Sequence, residues 1–456
     1  MAINIPISAI KEVAWPAPVT GEQATYLALQ FQLEQSQWWS EDELVSAQLR
    51  QLRLLLQHAV KTVPYYKKRY SVIPFDFSGR LTLNEWRRLP ILTRNDVQKA
   101  GDSLNSKAVP QSHGKLFTQG SSGSTGKPVS IKQTRLCTLY WRSFALRQSL
   151  WCQLDMAGKA AVIRYNKDPS TITAQGLKSR GWGAPYDGMF ETGPGVFMHS
   201  SVDIKVQADW LLREKPDYLL TYPSILHGLA HYFIKNDLEL PGLQLVRSFG
   251  EVLDEETRQV CRQAWDVSVI DGYSSNEIGY MALQCPEHEH YHVQSENALV
   301  EILDDEGNPC RPGETGRVIV TPLHNYATPM LRYAVGDYAE VGETCDCGRG
   351  LPVIRRIMGR TRNLLTLPDG SKLWPSMGIQ DYGKVAPVLQ AQLVQRSMEH
   401  MEVRLVTSAK PTPEQEQALT RLIQERLRFP FRITFTYMDE ISRGPTDKYE
   451  DFLSEV

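Results

Sequence analysis

The chain has 456 residues, 42% of them apolar, and 50 basic against 52 acidic side chains leave a formal net charge of −2. That length and composition call for two or more domains with a sizeable core, and the balanced charge excludes a general pull toward nucleic acid or an anionic membrane surface. No apolar run approaches the roughly 18 residues of a spanning helix, no secretory leader pattern opens the chain, and the seven cysteines form no framework of a small secreted domain, so a soluble, cytoplasmic protein with reduced or metal-bound thiols is expected.

Residues 42–63, DELVSAQLRQLRLLLQHAVKTV, place apolar side chains at helical spacing. The spacing predicts a helix ending before Pro64, because the residue preceding a proline is driven out of helical geometry. Residues 117–129, FTQGSSGSTGKPV, follow as a loop rich in glycine, hydroxyls and one lysine. Glycine lets backbone amides approach phosphate, hydroxyls add donors, and lysine adds a point charge. The nucleotide P-loop is excluded: five residues rather than four separate Gly120 from Gly126, and Pro128 stands where the hydroxyl residue belongs. From composition alone, phosphate binding and a flexible linker remain equal alternatives.

From about 130 to 300, helical stretches alternate with short strand-like runs, AAVIRY, DYLLTYPS, LQLVRSFGE and VSVIDGYSS. The alternation predicts α/β layers with strands that end in polar loops. Trp182, Tyr186, Phe190, Tyr222 and Pro223 either line a flat apolar pocket or belong to the core. Residues 298–323 read as a hairpin around an Asp/Gly/Asn/Pro turn, and LTLPDGSKL reads as another. Thr412, Pro413 and Gln415 form a helix-start pattern of capping threonine, first-turn proline and glutamine three residues after the cap. An apolar stripe of Ala418, Leu422, Ile423 and Leu427 follows, and then a strand with Phe431, Ile433 and Phe435 alternating. The expected fold is α/β: a large multi-layer N-terminal domain over 1–359, its β-rich portion at about 290–358, and a small C-terminal α/β domain over 360–456.

SSGSTGKP at 121–128, SFGEVLD at 248–254, DGYSSNEIG at 271–279, TPMLRYAVGDYAEV at 328–341 and MGRTRN at 358–363 stand in one order that resembles the adenylate-forming (acyl-CoA synthetase) superfamily. LLQHAVKTVPYYKKRY, LPILTRNDV, CPEHEHYHV and CDCGRGLP resemble its phenylacetate-CoA ligase-like branch. The resemblance implies that Ser121, Ser122, Gly123, Ser124, Thr125, Gly126 and Lys127 hold the phosphates of ATP and that Gly250 and Glu251 contact adenine. It sets Tyr273 against the adenine, Ser275 and Asn276 near phosphate, Glu277 on Mg2+, Asp337 on the ribose hydroxyls, and Arg360 as a further nucleotide contact. Tyr222, Pro223 and Gly272 border the acid pocket, and Lys448, on a mobile small domain, stands between carboxylate and α-phosphate as the residue that speeds adenylation. Two departures stand out: Asp447 precedes Lys448 where glycine is usual, and Arg362 and Asn363 follow Arg360 where relatives carry an acidic hinge residue, leaving the pivot open.

Cys285, His292, Cys345 and Cys347 offer three thiols and an imidazole, a soft set suited to structural zinc, although Cys-x-Cys is tighter than the usual finger spacing. His288 and His290 compete for the fourth position; the resemblance favours His292. The implied activity is an AMP-forming acid–thiol ligase: a carboxylic acid, aryl or arylacetic acid favoured over fatty or amino acids, is adenylated with loss of pyrophosphate and its acyl group passes to coenzyme A. Transfer to a carrier-protein thiol or an amine, AMP transfer to a cofactor, and a catalytically silent nucleotide-binding protein are the alternatives. The expected cofactors are ATP, Mg2+, coenzyme A and structural zinc. No nucleic-acid or membrane partner is expected; a homodimer is the usual form in the family it resembles, although the sequence does not set the oligomeric state.

Overall fold

The structure is a computed structural model that describes residues 4–71, 79–120, 129–360, 363–373, 379–441 and 451–456. The chain divides into two compact units, Met1–Val335 with Ala339–Ile357, and Gly336–Tyr338 with Met358–Val456.

The first unit is built on a twelve-stranded sheet with two parts of different character. One part is mostly parallel: Gly195–His199, Ala160–Arg164, Tyr218–Thr221, Leu245–Phe249 and Val269–Ser275 lie side by side. These strands are short apolar runs, as required of strands covered on both faces. The helices Ile204–Glu214, Pro223–Lys235 and Glu255–Trp265 connect them and join one core that contains Trp210, Leu226, Phe233 and Val246. The helix Arg135–Trp151 supplies Leu146 to a second cluster with Tyr26, Met156, Tyr186, Met189 and Phe190.

At Val269–Ser275 the direction changes. Gly279–Gln284 returns antiparallel beside it, and Tyr291–Val293, Val353–Arg360, Tyr333–Val341, Thr315–Pro322 and Ala298–Leu303 continue outward. The β-rich portion is thus continuous with the α/β sheet and begins at Gly279. The hairpin read at 298–323 pairs Ala298 with Pro322 through Leu303 with Arg317.

The helix Glu41–Thr62 begins in a capping box: Ser40 Oγ accepts from the Glu43 amide at 3.4 Å, and Glu43 accepts from the Ser40 amide at 2.8 Å. Leu52, Leu55, Leu56 and Ala59 are among its buried residues, packed in one cluster with Trp86 of the helix Leu83–Arg87 and with Val318, Val320 and Ile354 of the antiparallel part. The helix ends as the proline predicts, with Val63 extended (φ −104°, ψ 113°) before Pro64 starts the helix Pro64–Arg69.

The second unit carries a four-stranded sheet in the order Arg432–Tyr437, His400–Thr407, Val388–Ser397 and Phe452–Ser454. Its helix Pro413–Leu427 has the expected capping box between Thr412 and Gln415. The fully buried stripe is Leu419, Ile423 and Leu427, with Leu422 at its edge. Leu419 replaces the expected Ala418, which is half-buried, because the stripe turns with a period of four residues from Leu427 backwards. LTLPDGSKL pairs as the expected hairpin, Leu365 with Leu373 and Thr366 with Lys372.

Candidate active site

Two neighbouring parallel strands end where a site can form, at the point where the sheet changes direction. Leu245–Phe249 stops at Gly250, whose φ of +80° suits glycine and turns the chain out of the sheet. Val269–Ser275 carries a bulge between Tyr273 and Ser274 and then a tight turn in which the Ile278 amide donates to Ser275 Oγ at 3.3 Å. Gly279, at φ +97°, closes the turn. The turn leaves Asn276 exposed and Glu277 half-buried while Tyr273 stays buried. Asp271 anchors this strand from below: its carboxylate accepts from Ser248 Oγ at 2.7 Å and Tyr291 Oη at 2.8 Å, and burial pushes its pKa up despite these bonds.

The residues 121–128, with Ser121 to Lys127, lie outside the described residues, but the strands framing them do not. Leu116–Gly120 and Ser130–Thr134 form an antiparallel hairpin in which Gly120 pairs with Ser130. Gln133 on the second strand donates through Nε2 to the carbonyls of Asn276 (2.9 Å) and Glu277 (3.3 Å). A cleft of about 190 Å³ opens there, lined among others by Gln119, Gln133, Trp141, Asn276, Glu277 and His324. His324 stacks on Tyr140 with centroids 3.6 Å apart and bonds the Glu296 carbonyl at 2.9 Å; burial lowers its pKa to about 4, so the ring is neutral at pH 7. Gln133, Trp141 and His324 were not legible as site residues, because they come from separate segments and belong to no local pattern.

The remaining expected residues fall in several places. Asp337 and Arg360 form an ion pair at 3.6 Å in the second unit. The Glu251 carboxylate accepts from the Ser224 amide at 3.0 Å, at the start of the helix Pro223–Lys235. Tyr222 is that helix's N-cap residue and packs on Phe249 with centroids 4.8 Å apart, and Pro223 opens its first turn. A side chain on Gly272 would meet Gln148 Nε2 at 3.2 Å. Trp182, Tyr186 and Phe190 are core: they pack with Tyr26, Met156 and Met189, and Trp182 Nε1 donates to the Gly158 carbonyl at 2.8 Å. Lys448, Asp447 and Arg362 lie outside the described residues; Asn363 Nδ2 donates to the Phe452 carbonyl at 2.6 Å.

The antiparallel part brings Cys285, His292, Cys345 and Cys347 together, with all four donor atoms within 4.8 Å of one another. Cys285 Sγ lies 4.0 Å from Cys345 Sγ, and Cys347 Sγ lies 3.4 Å from His292 Nε2. A tetrahedral zinc with Zn–S of about 2.3 Å and Zn–N of about 2.0 Å sets these separations near ~3.8 and ~3.5 Å, so the donor set fits. Amides of Glu287 and Cys347 point at Cys285 Sγ and Cys345 Sγ at 3.5 and 3.4 Å, and His292 Nδ1 lies 3.4 Å from the Leu351 carbonyl, an arrangement that leaves Nε2 for a metal. Burial pushes the Cys345 thiol up to about 12, whereas Cys347, against its own burial, is held below its ordinary value by hydrogen bonds and charge from Arg349. His288 instead pairs with Asp346 at 2.6 Å and stacks on His290.

The fold is the one seen in solved acyl-CoA ligases. The family model "AMP-binding enzyme" matches residues 186–324. The phenylacetate-coenzyme A ligase of Pseudomonas putida is 26% identical over 74% of this chain and 75% of that protein, and the one of Escherichia coli K12 is 27% identical over 74% and 75%. A crystal structure of a 2-hydroxyisobutyryl-CoA ligase in the postadenylation state superposes with a TM-score of 0.71 at 18% identity, covering 92% of each chain. The chain is thus similar to adenylate-forming enzymes and, among them, to phenylacetate-coenzyme A ligases.

Proposed function

We propose that the chain is an ATP-dependent acid–thiol ligase that joins a carboxylic acid to AMP, releases pyrophosphate, and passes the acyl group to coenzyme A. One observation carries this reading: the hairpin framing the Ser/Gly/Lys segment is bonded through Gln133 to the carbonyls of Asn276 and Glu277, so the strands on either side of a phosphate-binding composition and an acidic side chain border one cleft. In the first step a carboxylate oxygen bonds the α-phosphorus as the bond to the pyrophosphate oxygen breaks. In the second, a thiol sulfur bonds the acyl carbon and AMP leaves.

Both steps bring negative groups together, so oriented donors and a cation must stand where charge accumulates. Amides and hydroxyls at 121–126, with Lys127, serve the β- and γ-phosphates; Lys448 serves the attacking carboxylate and the α-phosphate; Asp337 holds the ribose hydroxyls. A lone half-buried carboxylate beside polar groups suits magnesium, which shares its shell with phosphate and water, and Glu277 would hold it there to neutralise phosphate charge. Cys285, His292, Cys345 and Cys347 would hold a zinc ion with no open position, which braces the antiparallel strands and takes no part in the chemistry.

Pyrophosphate exchange over a panel of carboxylic acids, followed by addition of coenzyme A and mass detection of the thioester, tests the reading. Exchange with at least one acid and thioester formation are expected; absence of exchange with every acid would overturn it. Lys448→Ala should abolish exchange while leaving thioester formation from supplied acyl-adenylate largely intact, and unchanged exchange would remove Lys448 from the mechanism.

A further inference from the structure

Four arginines are buried among the described residues: Arg147, Arg247, Arg258 and Arg332. Arg147 pairs with Glu296 at 3.1 Å and Arg332 with Glu301 at 3.1 Å; Arg258 donates to the Val269 carbonyl at 2.6 Å and Gln284 Oε1 at 2.9 Å, and its charge acts on the Asp271 carboxylate. Arg247, 9% exposed, has no carboxylate within ion-pair distance among the described residues. Its guanidinium donates to Ser149 Oγ at 3.1 Å, and that hydroxyl shares a 2.7 Å bond with Tyr186 Oη. Cys152 and Tyr280 stand nearby, and burial pushes them up to about 11 and about 12, so both are neutral at pH 7. An arginine withdrawn from water with only neutral neighbours is costly and calls for an anion from elsewhere.

The sheet register shows where that anion would come from. Arg247 pairs with Ile270 and Phe249 with Gly272 on adjacent parallel strands, and residues two apart share a face. Both ends of this face look at the helix Arg135–Trp151: Arg247 bonds Ser149, and the bare Gly272 faces Gln148. Phe249 packs on Tyr222 at the top of the same face. Arg247 therefore lies about 7 Å below Phe249 and Gly272, two residues along the strand at roughly 3.3 Å each. On that face it lies one step below Gly272, which the ligase reading assigns to the acid pocket, and below Phe249, the packing partner of Tyr222.

We propose that Arg247 binds a second carboxylate at the far end of the substrate, so that the enzyme activates one end of a dicarboxylic acid. This rests on the ligase reading. The carboxylate at the strand tips attacks the α-phosphorus, and the distal one keeps its charge in a paired contact with the planar guanidinium. Ser149 holds the guanidinium at 3.1 Å, and Tyr186 in turn holds the Ser149 hydroxyl at 2.7 Å.

The test measures pyrophosphate release from ATP and Mg2+ with glutarate, adipate and homophthalate, each against its own monomethyl ester. Each diacid should exceed its ester in kcat/KM by at least about tenfold, since an ester leaves the guanidinium unpaired. Arg247→Met should erase the ratio and Arg247→Lys should retain part of it, whereas a merely structural role would move diacid and ester alike. Esters used as well as diacids, or a ratio unchanged in Arg247→Met, would overturn the proposal. Thermal midpoints with the same compounds separate its failure from that of the ligase reading. If no acid releases pyrophosphate, a diacid-specific rise lost in Arg247→Met still supports the Arg247 contact, and its absence overturns that as well.

Discussion

The two parts of the twelve-stranded sheet are stabilised by different means. The parallel part is covered by apolar helices, with Trp210, Leu211, Leu226, Leu229 and Phe233 wholly buried around it. The antiparallel part shares an apolar cluster with the N-terminal helices, but polar clamps cross it as well. Glu301 accepts from Arg332 Nε and Nη2, both at 3.1 Å, while Arg332 Nη1 reaches the Leu89 carbonyl at 2.6 Å; the Cys/His cluster joins separate strand ends. Parallel strands held by their middles leave their C-terminal ends, at Gly250 and Ser275, available for chemistry. Antiparallel strands hold position through groups that must find specific partners, and such groups fail sharply when one partner is lost.

Metal removal sharpens this contrast most. The purified protein should carry about one equivalent of zinc, and chelation should lower its thermal midpoint by on the order of 10 °C. Less than about half an equivalent, measured in the absence of chelator, would reject the site. Glu301→Gln should come next, costing about 3–5 kcal/mol in denaturant unfolding because Arg332 keeps its charge without a counter-charge; a cost below about 1 kcal/mol would show that the clamp is dispensable. In the parallel part, Leu226→Ala should cost about 2–5 kcal/mol as a cavity, toward the lower end where the helix can settle. That loss should be equal with and without chelator, and chelator dependence would erase the distinction between the parts.

Much of this was legible locally. The Ser40 and Thr412 helix starts follow from residues three apart, Pro64 sets its own helix boundary, and the hairpins at 298–323 and 365–373 follow from turn residues between alternating strands. The cysteines and His292 were visible as donors, but their grouping depends on strands that bring residue 285 beside 345. Trp182, Tyr186 and Phe190 could be read as pocket or core from sequence, since aromatic content is the same in both; only packing assigns them to the core. The β-rich portion is expected only from about residue 290 because local periodicity carries no information on which strands share a sheet, whereas pairing of Val269–Ser275 with Gly279–Gln284 starts it at Gly279 and makes it continuous with the parallel strands.

The sequence by itself determined the chemical inventory and its order: a loop fit for phosphate, an acidic turn after a buried strand, three thiols and an imidazole, and a capped terminal helix. Each depends on neighbours within a few residues, where backbone geometry and side-chain type suffice. Tertiary structure alone decided that Gln133 bonds the Glu277 turn, that His324 is packed neutral against Tyr140, and that Arg247 is buried with no carboxylate in ion-pair distance among the described residues. Those depend on which strand lies next to which and which face a side chain takes, and a single register shift would reverse them.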